Sequence, residues 1–232
     1  MDVTSIAYHG GACGDFVRLL LITGDKNVDS FLISNDGYIS ICLTNNTWLY
    51  NVCMLEKSSG AIRPKQNLNH ITDINRNLFT HKFNQHDFDD IQTISKLIQN
   101  ENETTWHLHN SLVVGHEYQA VIDAKKSLEF YYEYIALFDV QRVLYITLTN
   151  KTSVDMLNRN IVAKNNIPSA FTLERTMFEQ TIIERDMKSD DLMLELSDIY
   201  EKATLREFLL NNFVWDDSNF DEVYDLYMSY QP

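Results

Sequence analysis

The sequence predicts an α/β fold, a three-layer sandwich on a mostly parallel sheet, and three observations carry that expectation. The chain opens with a β-rich alternation, Val3-Thr4-Ser5-Ile6-Ala7-Tyr8, that runs through a small-residue loop into an apolar helix. Arg142-Val143-Leu144-Tyr145-Ile146-Thr147-Leu148 is the near-continuous apolar run of a strand buried on both faces. Helical spacing then alternates with one more short apolar run to the end of the chain. Strands alternating with helices imply a parallel sheet between two helical layers. At 232 residues one α/β domain is expected over 1–232, with an insertion or subdomain at about 25–100.

Each element has its own signal. After the first strand, His9-Gly10-Gly11-Ala12-Cys13-Gly14 forms the loop, and Asp15 through Ile22 continues as a helix that ends near Gly24. Ser30-Phe31-Leu32-Ile33 and Tyr38-Ile39-Ser40-Ile41-Cys42-Leu43 flank Asn35-Asp36-Gly37, a hairpin signature. Ser58 through Pro64 reads as a loop. Phe88, Ile91, Ile94, Leu97 and Ile98 recur at helical spacing behind a capping Asp87. Thr104 to His109 is a short strand candidate, and residues 124–138 form a helix whose Phe130, Tyr131, Tyr132, Tyr134 and Phe138 make a buried face with an exposed rim. Helices at about 152–165 and 171–188 are separated by Pro168. A final strand at 192–196 precedes helices near 203–212 and 219–230.

In such sheets ligands sit beyond the carboxyl ends of the strands. If the three strands are neighbours, the loops after Tyr8, His109 and Leu148 converge there. Gly10, Gly11 and Gly14 fall within five positions, and glycine lets backbone N–H groups turn toward one point in front of a helix amino end. That arrangement cradles a phosphate or sulfate; alternatively it is only a tight strand-to-helix turn. The loop lacks the Gly-Lys-Ser/Thr ending of a nucleoside-triphosphatase cradle, which disfavours ATP or GTP hydrolysis.

His107 and His109 share one face of their strand, because side chains alternate with period two. A histidine near neutral pKa suits a general base; packing at a strand end is the plainer role, and a metal pair with His116 or Asp123 is a third. His70, His81 and His86 with Asp87, Asp89 and Asp90 match no familiar ligand spacing, so no metal site is assigned. Cys13 at a helix amino end, with His9 or His109, is a candidate hydrolase nucleophile or a small packing residue.

The net charge of −14 opposes broad contact with nucleic acid or anionic membrane. Residues 186–232 hold twelve acids against three bases, a net of −9, which leaves −5 for residues 1–185. Asp216, Asp217, Asp221, Glu222 and Asp225 form a solvated face or contact a basic protein partner. Cys13, Cys42 and Cys53 contain no Cys-x-x-Cys pair, so reduced thiols in a cytoplasmic compartment are expected. No basic leader region and no apolar run of ~18–20 residues is present, so neither export nor membrane insertion is expected.

Taken in order, the glycine loop, a His at the end of a middle strand, and a strong strand running into an Asn/Ser-containing helix start resemble the P-loop sulfotransferase family, especially its divergent viral and marine-microbial members. The resemblance covers 1–24 and 104–232, and Leu196-Ser197-Asp198-Ile199-Tyr200 followed by Thr204 to Leu209 is also similar to it. It implies a P-loop-like strand, glycine loop and helix in which Gly10, Gly11, Ala12, Cys13, Gly14, Asp15 and Phe16 hold the 5′-phosphate of the donor, adenosine 3′-phosphate 5′-phosphosulfate. It further implies that Asn150, Lys151 and Ser153 hold the 3′-phosphate, that His107 or His109 is the base, and that a hydroxyl or amine is the acceptor. Two departures stand out: Cys13 and the acidic Asp15 replace a basic loop residue, and Asn150 stands where an Arg is expected. An inactive fold serving as a structural or interaction protein, in the host cytoplasm or a virion, is therefore the alternative.

Overall fold

The computed structural model describes residues 2–9, 11–26, 28–44, 46, 48–56, 60–64, 111–118, 140–165 and 171–231. It is a mixed α/β structure with a parallel sheet and helices. β1 (Asp2–His9), β6 (Ser111–Tyr118), β7 (Val140–Thr147) and β8 (Leu192–Glu195) form that sheet in the order β6-β1-β7-β8, and every neighbouring pair is parallel. β1 lies in the middle, with Asp2 beside Ser111 and His9 beside Tyr118. The alternation read in the sequence does not survive as alternating burial: Ile6, Ala7, Tyr8 and His9 are all buried, as are Val143 through Leu148.

Residues 28–64 form a second sheet. β2 (Val28–Ile33), β3 (Tyr38–Leu43), β4 (Trp48–Glu56) and β5 (Ala61–Pro64) make an antiparallel meander in chain order. The predicted hairpin is β2–β3, with Gly37 at φ 85°, a left-handed turn that glycine adopts without a Cβ penalty. The loop expected through Pro64 is corrected: Ala61–Pro64 pairs with β4, and Pro64, which has no N–H to give, ends the strand at the edge of the sheet. The candidate helices around 88–98 and 124–138 and the strand at 104–109 lie outside the described residues.

α1 (Gly14–Thr23) is buried nearly all round, with Phe16, Val17, Leu19, Leu20 and Leu21 in the main core. It packs against both sheets and against the last helix, α6 (Phe220–Ser229). Between β7 and β8 run α2 (Lys151–Asn165) and α3 (Leu173–Asp186); after β8 come the single turn α4 (Leu196–Ile199) and α5 (Lys202–Asn212). Asn150 caps α2 by accepting the Ser153 N–H at 2.9 Å, and Thr172 caps α3 by accepting the Arg175 N–H at 3.3 Å. On the exposed side of α5 and α6, Lys202 pairs with Asp221 and Asp225, and Arg206 with Asp217. No helix among the described residues is long and apolar enough to cross a membrane.

The C-terminal segment grips the end of α1. Trp215 Nε1 donates to the Leu20 carbonyl at 2.8 Å, the Asp216 N–H to the Gly24 carbonyl at 2.8 Å, and Asn219 to the Thr23 carbonyl at 3.0 Å. Gly24 has an ordinary φ of −95°, but a Cβ there would lie 1.8 Å from Trp215 Nε1. Gly24→Ala is therefore a purely steric test of this contact. It is expected to cost about 1–3 kcal/mol by overpacking, read from the urea unfolding midpoint; an unchanged midpoint would mean that Trp215 is not held against α1.

Candidate functional site

Strand order fixes where a ligand can be met. The chain leaves β1, returns as β6 on one side of it and then as β7 on the other, so the switch point of the sheet lies at the carboxyl ends of β1 and β7, the edge where ligands of such sheets are met. Residues 10–13 leave β1 at that edge, and residues 148–150 leave β7 beside them. The structure thus brings together two predicted groups, the glycine loop and the start of α2. The loop itself packs on the later half of α2, where Asn160 Nδ2 donates to the Gly11 carbonyl at 2.9 Å.

The loop is tightly built. Gly10 lies outside the described residues. Gly11 has φ 95°, and a Cβ there would come within 3.1 Å of Ile161. Ala12 is buried and its N–H donates to the His9 carbonyl at 2.8 Å. Cys13 takes the left-handed conformation at φ 62° just before α1, and Gly14 lies under the Tyr8 ring, which a Cβ would meet at 2.2 Å. Asp15 receives the Arg18 guanidinium at 2.6 Å, and Arg18 is buried. Phe16 stacks on Tyr227 with ring centres 3.8 Å apart and planes 8° apart.

The Cys13 side chain turns toward the later helices. The Tyr227 hydroxyl donates to its sulfur at 3.4 Å, the Tyr200 hydroxyl lies 3.5 Å away, and Asn160 Nδ2 reaches both Tyr200 at 2.9 Å and the sulfur at 3.9 Å. Burial pushes both phenols well above their ordinary range. The neighbouring Cys13 pushes the same way, and at Tyr200 the Asn160 amide and the Arg159 charge oppose it. Tyr224, buried beside Phe16, is raised to about 12, mainly by burial. The candidate Cys–His pair meets different neighbours: the His9 ring packs edge-on against Phe171, with centres 5.0 Å apart.

At the α2 start, Glu195 supplies the anion. Its carboxylate accepts the Thr147 hydroxyl at 2.9 Å, the Thr149 N–H at 2.9 Å and the Thr149 hydroxyl at 2.8 Å. Asn150, besides capping α2, donates to the Ser197 hydroxyl at 3.3 Å. Ser153 is fully buried, and its oxygen accepts the Ser197 N–H at 3.0 Å, so it secures the α4 turn. Lys151 is exposed.

His107 and His109 lie outside the described residues. β6 begins at Ser111, beside Asp2 and at the opposite edge of the sheet from the glycine loop. Among the described residues no group of three or more His, Cys, Asp or Glu side chains could hold a metal. The residues that the sequence did not single out are Asn160 and Glu195, with Tyr200 and Tyr227 in new roles. Only Glu195 had a local signal, an acid closing the apolar run Leu192-Met193-Leu194. Compared with protein-family models, curated proteins and solved structures, the chain matches none.

The phenols predict an alkaline limit to stability. Below pH 10 the tyrosines are neutral in folded and unfolded chains alike, and the stability is fully present. Above it the unfolded phenols ionise at their ordinary 10.0 while Tyr224 holds its proton to about 12 and Tyr200 and Tyr227 hold theirs longer. Denaturant midpoints should therefore be lost progressively as pH rises above 10, with a shallower loss in Tyr227→Phe. A midpoint that is level through that range would contradict the buried cluster.

Proposed function

We propose that the chain is a P-loop-like, three-layer α/β domain similar to the sulfotransferases. It binds adenosine 3′-phosphate 5′-phosphosulfate at the crevice between β1 and β7 and passes the sulfuryl group to a hydroxyl or amine acceptor. One observation carries the reading: β1 and β7 are parallel neighbours at the switch point of the sheet, so the segments leading into α1 and α2 leave them at the same edge. Right-handed crossovers favour α1 and α6 on one face of the sheet and α2 and α3 on the other, and the uninterrupted burial of residues 6–9 and 143–148 supports two covered faces.

In this reading the loop from Gly10 to Phe16 contributes to the 5′-phosphosulfate its backbone N–H groups other than those of Ala12 and Phe16, which the His9 and Cys13 carbonyls accept, and the exposed Lys151 at the start of α2 meets the 3′-phosphate. Asn150 and Ser153 position that start rather than touch the ligand. The acceptor oxygen or nitrogen attacks sulfur, the bond from sulfur to the phosphate oxygen breaks, and adenosine 3′,5′-bisphosphate leaves. The acceptor's proton goes to a base that the described residues do not identify, since Ser111, two residues after His109, lies at the sheet edge opposite the loop. The three free thiols, two of them buried, suit a reducing compartment such as host cytoplasm or a virion interior.

A specific observation favours a second reading, a non-catalytic scaffold or interaction protein that keeps the fold. Asp15 neutralises Arg18, Phe16 is committed to Tyr227, and Ser153 to Ser197. Titration calorimetry with adenosine 3′,5′-bisphosphate separates the two. Binding tighter than millimolar that falls at least tenfold in Gly11→Val, with the circular dichroism spectrum kept, is the expected outcome. No heat at millimolar nucleotide leaves the scaffold reading.

A further inference from the structure

Asn160 is used for its donors alone. Its Nδ2 donates to the Gly11 carbonyl and to the Tyr200 hydroxyl, both at 2.9 Å, while its Oδ1 is buried without a hydrogen-bond partner among the described residues. Turning the amide over would set Oδ1 against the Gly11 carbonyl, acceptor against acceptor, so the loop itself fixes which way the amide points. The two bonds reach the two left-handed positions of the loop, Gly11 at φ 95° and Cys13 at φ 62°, with the buried Ala12 between them. At Gly11 the bond is direct. The Gly11–Ala12 peptide gives its carbonyl to Asn160 and its N–H to the His9 carbonyl at 2.8 Å, so both of its ends are held. At Cys13 the contact runs through Tyr200, whose hydroxyl lies 3.5 Å from the sulfur. Asn158, two residues earlier on α2, makes the same kind of bond with its Oδ1 also buried and unpartnered, but its Nδ2 donates at 3.0 Å to the Phe171 carbonyl, outside the loop.

We infer that Asn160 is the positioning residue of the anion site, acting through the Gly11 carbonyl, an assignment that rests on the nucleotide-binding reading above. A peptide beside a glycine turns over at little steric cost, and a carbonyl turned toward the ligand would set partial negative charge against a phosphoryl oxygen. The Asn160 bond keeps the Gly11 carbonyl on α2 and leaves the loop to meet an anion through N–H groups. Asn160 supplies no charge and acts only by holding the loop. The residue that readies the glycine loop therefore comes from the helix after β7, not from the loop.

Titration calorimetry of the full chain with adenosine 3′,5′-bisphosphate tests this, with the fold of each variant checked by circular dichroism. At pH 8 both Asn160→Leu, which fills the place without a donor, and Asn160→Asp should weaken binding by about tenfold or more. At pH 5 the buried aspartic acid takes up a proton and can donate again, so the affinity of Asn160→Asp relative to wild type should recover by about fivefold or more, while that of Asn160→Leu stays low. The pH response separates a lost donor from a change of shape, and the leucine separates it from the charge of the carboxylate. Asn158→Asp, the matched change on the same helix, should leave binding within about twofold at both pH values. Where Asn160→Leu does not fold, Asn160→Ala takes its place. Wild-type affinity in the folded leucine or alanine variant, a loss in Asn160→Asp that does not respond to pH, or an equal loss in Asn158→Asp overturns the Asn160 assignment and leaves nucleotide binding standing. Failure of the wild type to bind the bisphosphate overturns both.

Discussion

The structure depends on a helix that has almost no outside. Eight of the ten residues of α1 are buried, because the parallel sheet, the antiparallel meander and α6 all press on it. Apolar side chains meet that condition for Phe16, Val17, Leu19, Leu20 and Leu21; Arg18 does not, and a buried guanidinium without a partner would cost several kcal/mol. Asp15 supplies the partner from the first turn, where an acid also favours the helix dipole. The acid that looks misplaced in an anion-binding loop is thus required by the arginine beneath it. Cys53, buried in the meander and within the field of both charges, is pushed up to about 12 mainly by burial and stays a neutral packing residue.

The same burial decides how the glycine loop is held. Because α1 is clamped by the Phe16–Tyr227 stack at one end and by Trp215 on the Leu20 carbonyl at the other, the glycine loop is held in one place. The groups that face it come from distant parts of the chain: Asn160 from α2, Tyr200 from the end of α4, Tyr227 from α6. Each neutral hydrogen bond contributes only about 0.5–1.5 kcal/mol net, yet together they tie the loop to all three segments. Glu195 performs the equivalent task at the end of β7. Its three accepted bonds hold Thr147 and Thr149, and so set the direction in which α2 leaves β7.

Much of the fold was legible because its signals are local. The strand before Gly10, the helix after Cys13, the hairpin around Gly37 and the helices after Lys151 other than the single turn α4 lie within a few residues of where spacing and caps put them. The missed strands lack such signals. Trp48–Glu56 mixes Asn51 and Cys53 among large apolar residues without alternation, Ala61–Pro64 is four residues between a glycine and a proline, and Ser111–Tyr118 carries Gly115 in its middle. In the site, the loop could be seen because its three glycines fall within five positions of the sequence. Asn160 could not: Asn158 and Asn165 share its helix, and only a contact with Gly11, 149 residues away, sets it apart.

Net charge is a poor guide to the field at the crevice, and α6 shows why. Its Phe220, Val223, Tyr224 and Tyr227 are buried, and Tyr227 reaches Cys13; Asp221, Glu222 and Asp225 on the same ten residues are exposed. One amphipathic helix therefore delivers a neutral phenol to the glycine loop and carries its acids on the solvent side, where Lys202 and Arg206 offset part of them. At physiological salt, exposed charges are screened over ~8 Å, which shortens the reach of those acids. Around the loop the structure sets the amino end of α1 and the Arg18–Asp15 pair, and at the start of α2 the Glu195 carboxylate and the exposed Lys151, a local balance that the sum of −14 over 232 residues does not report.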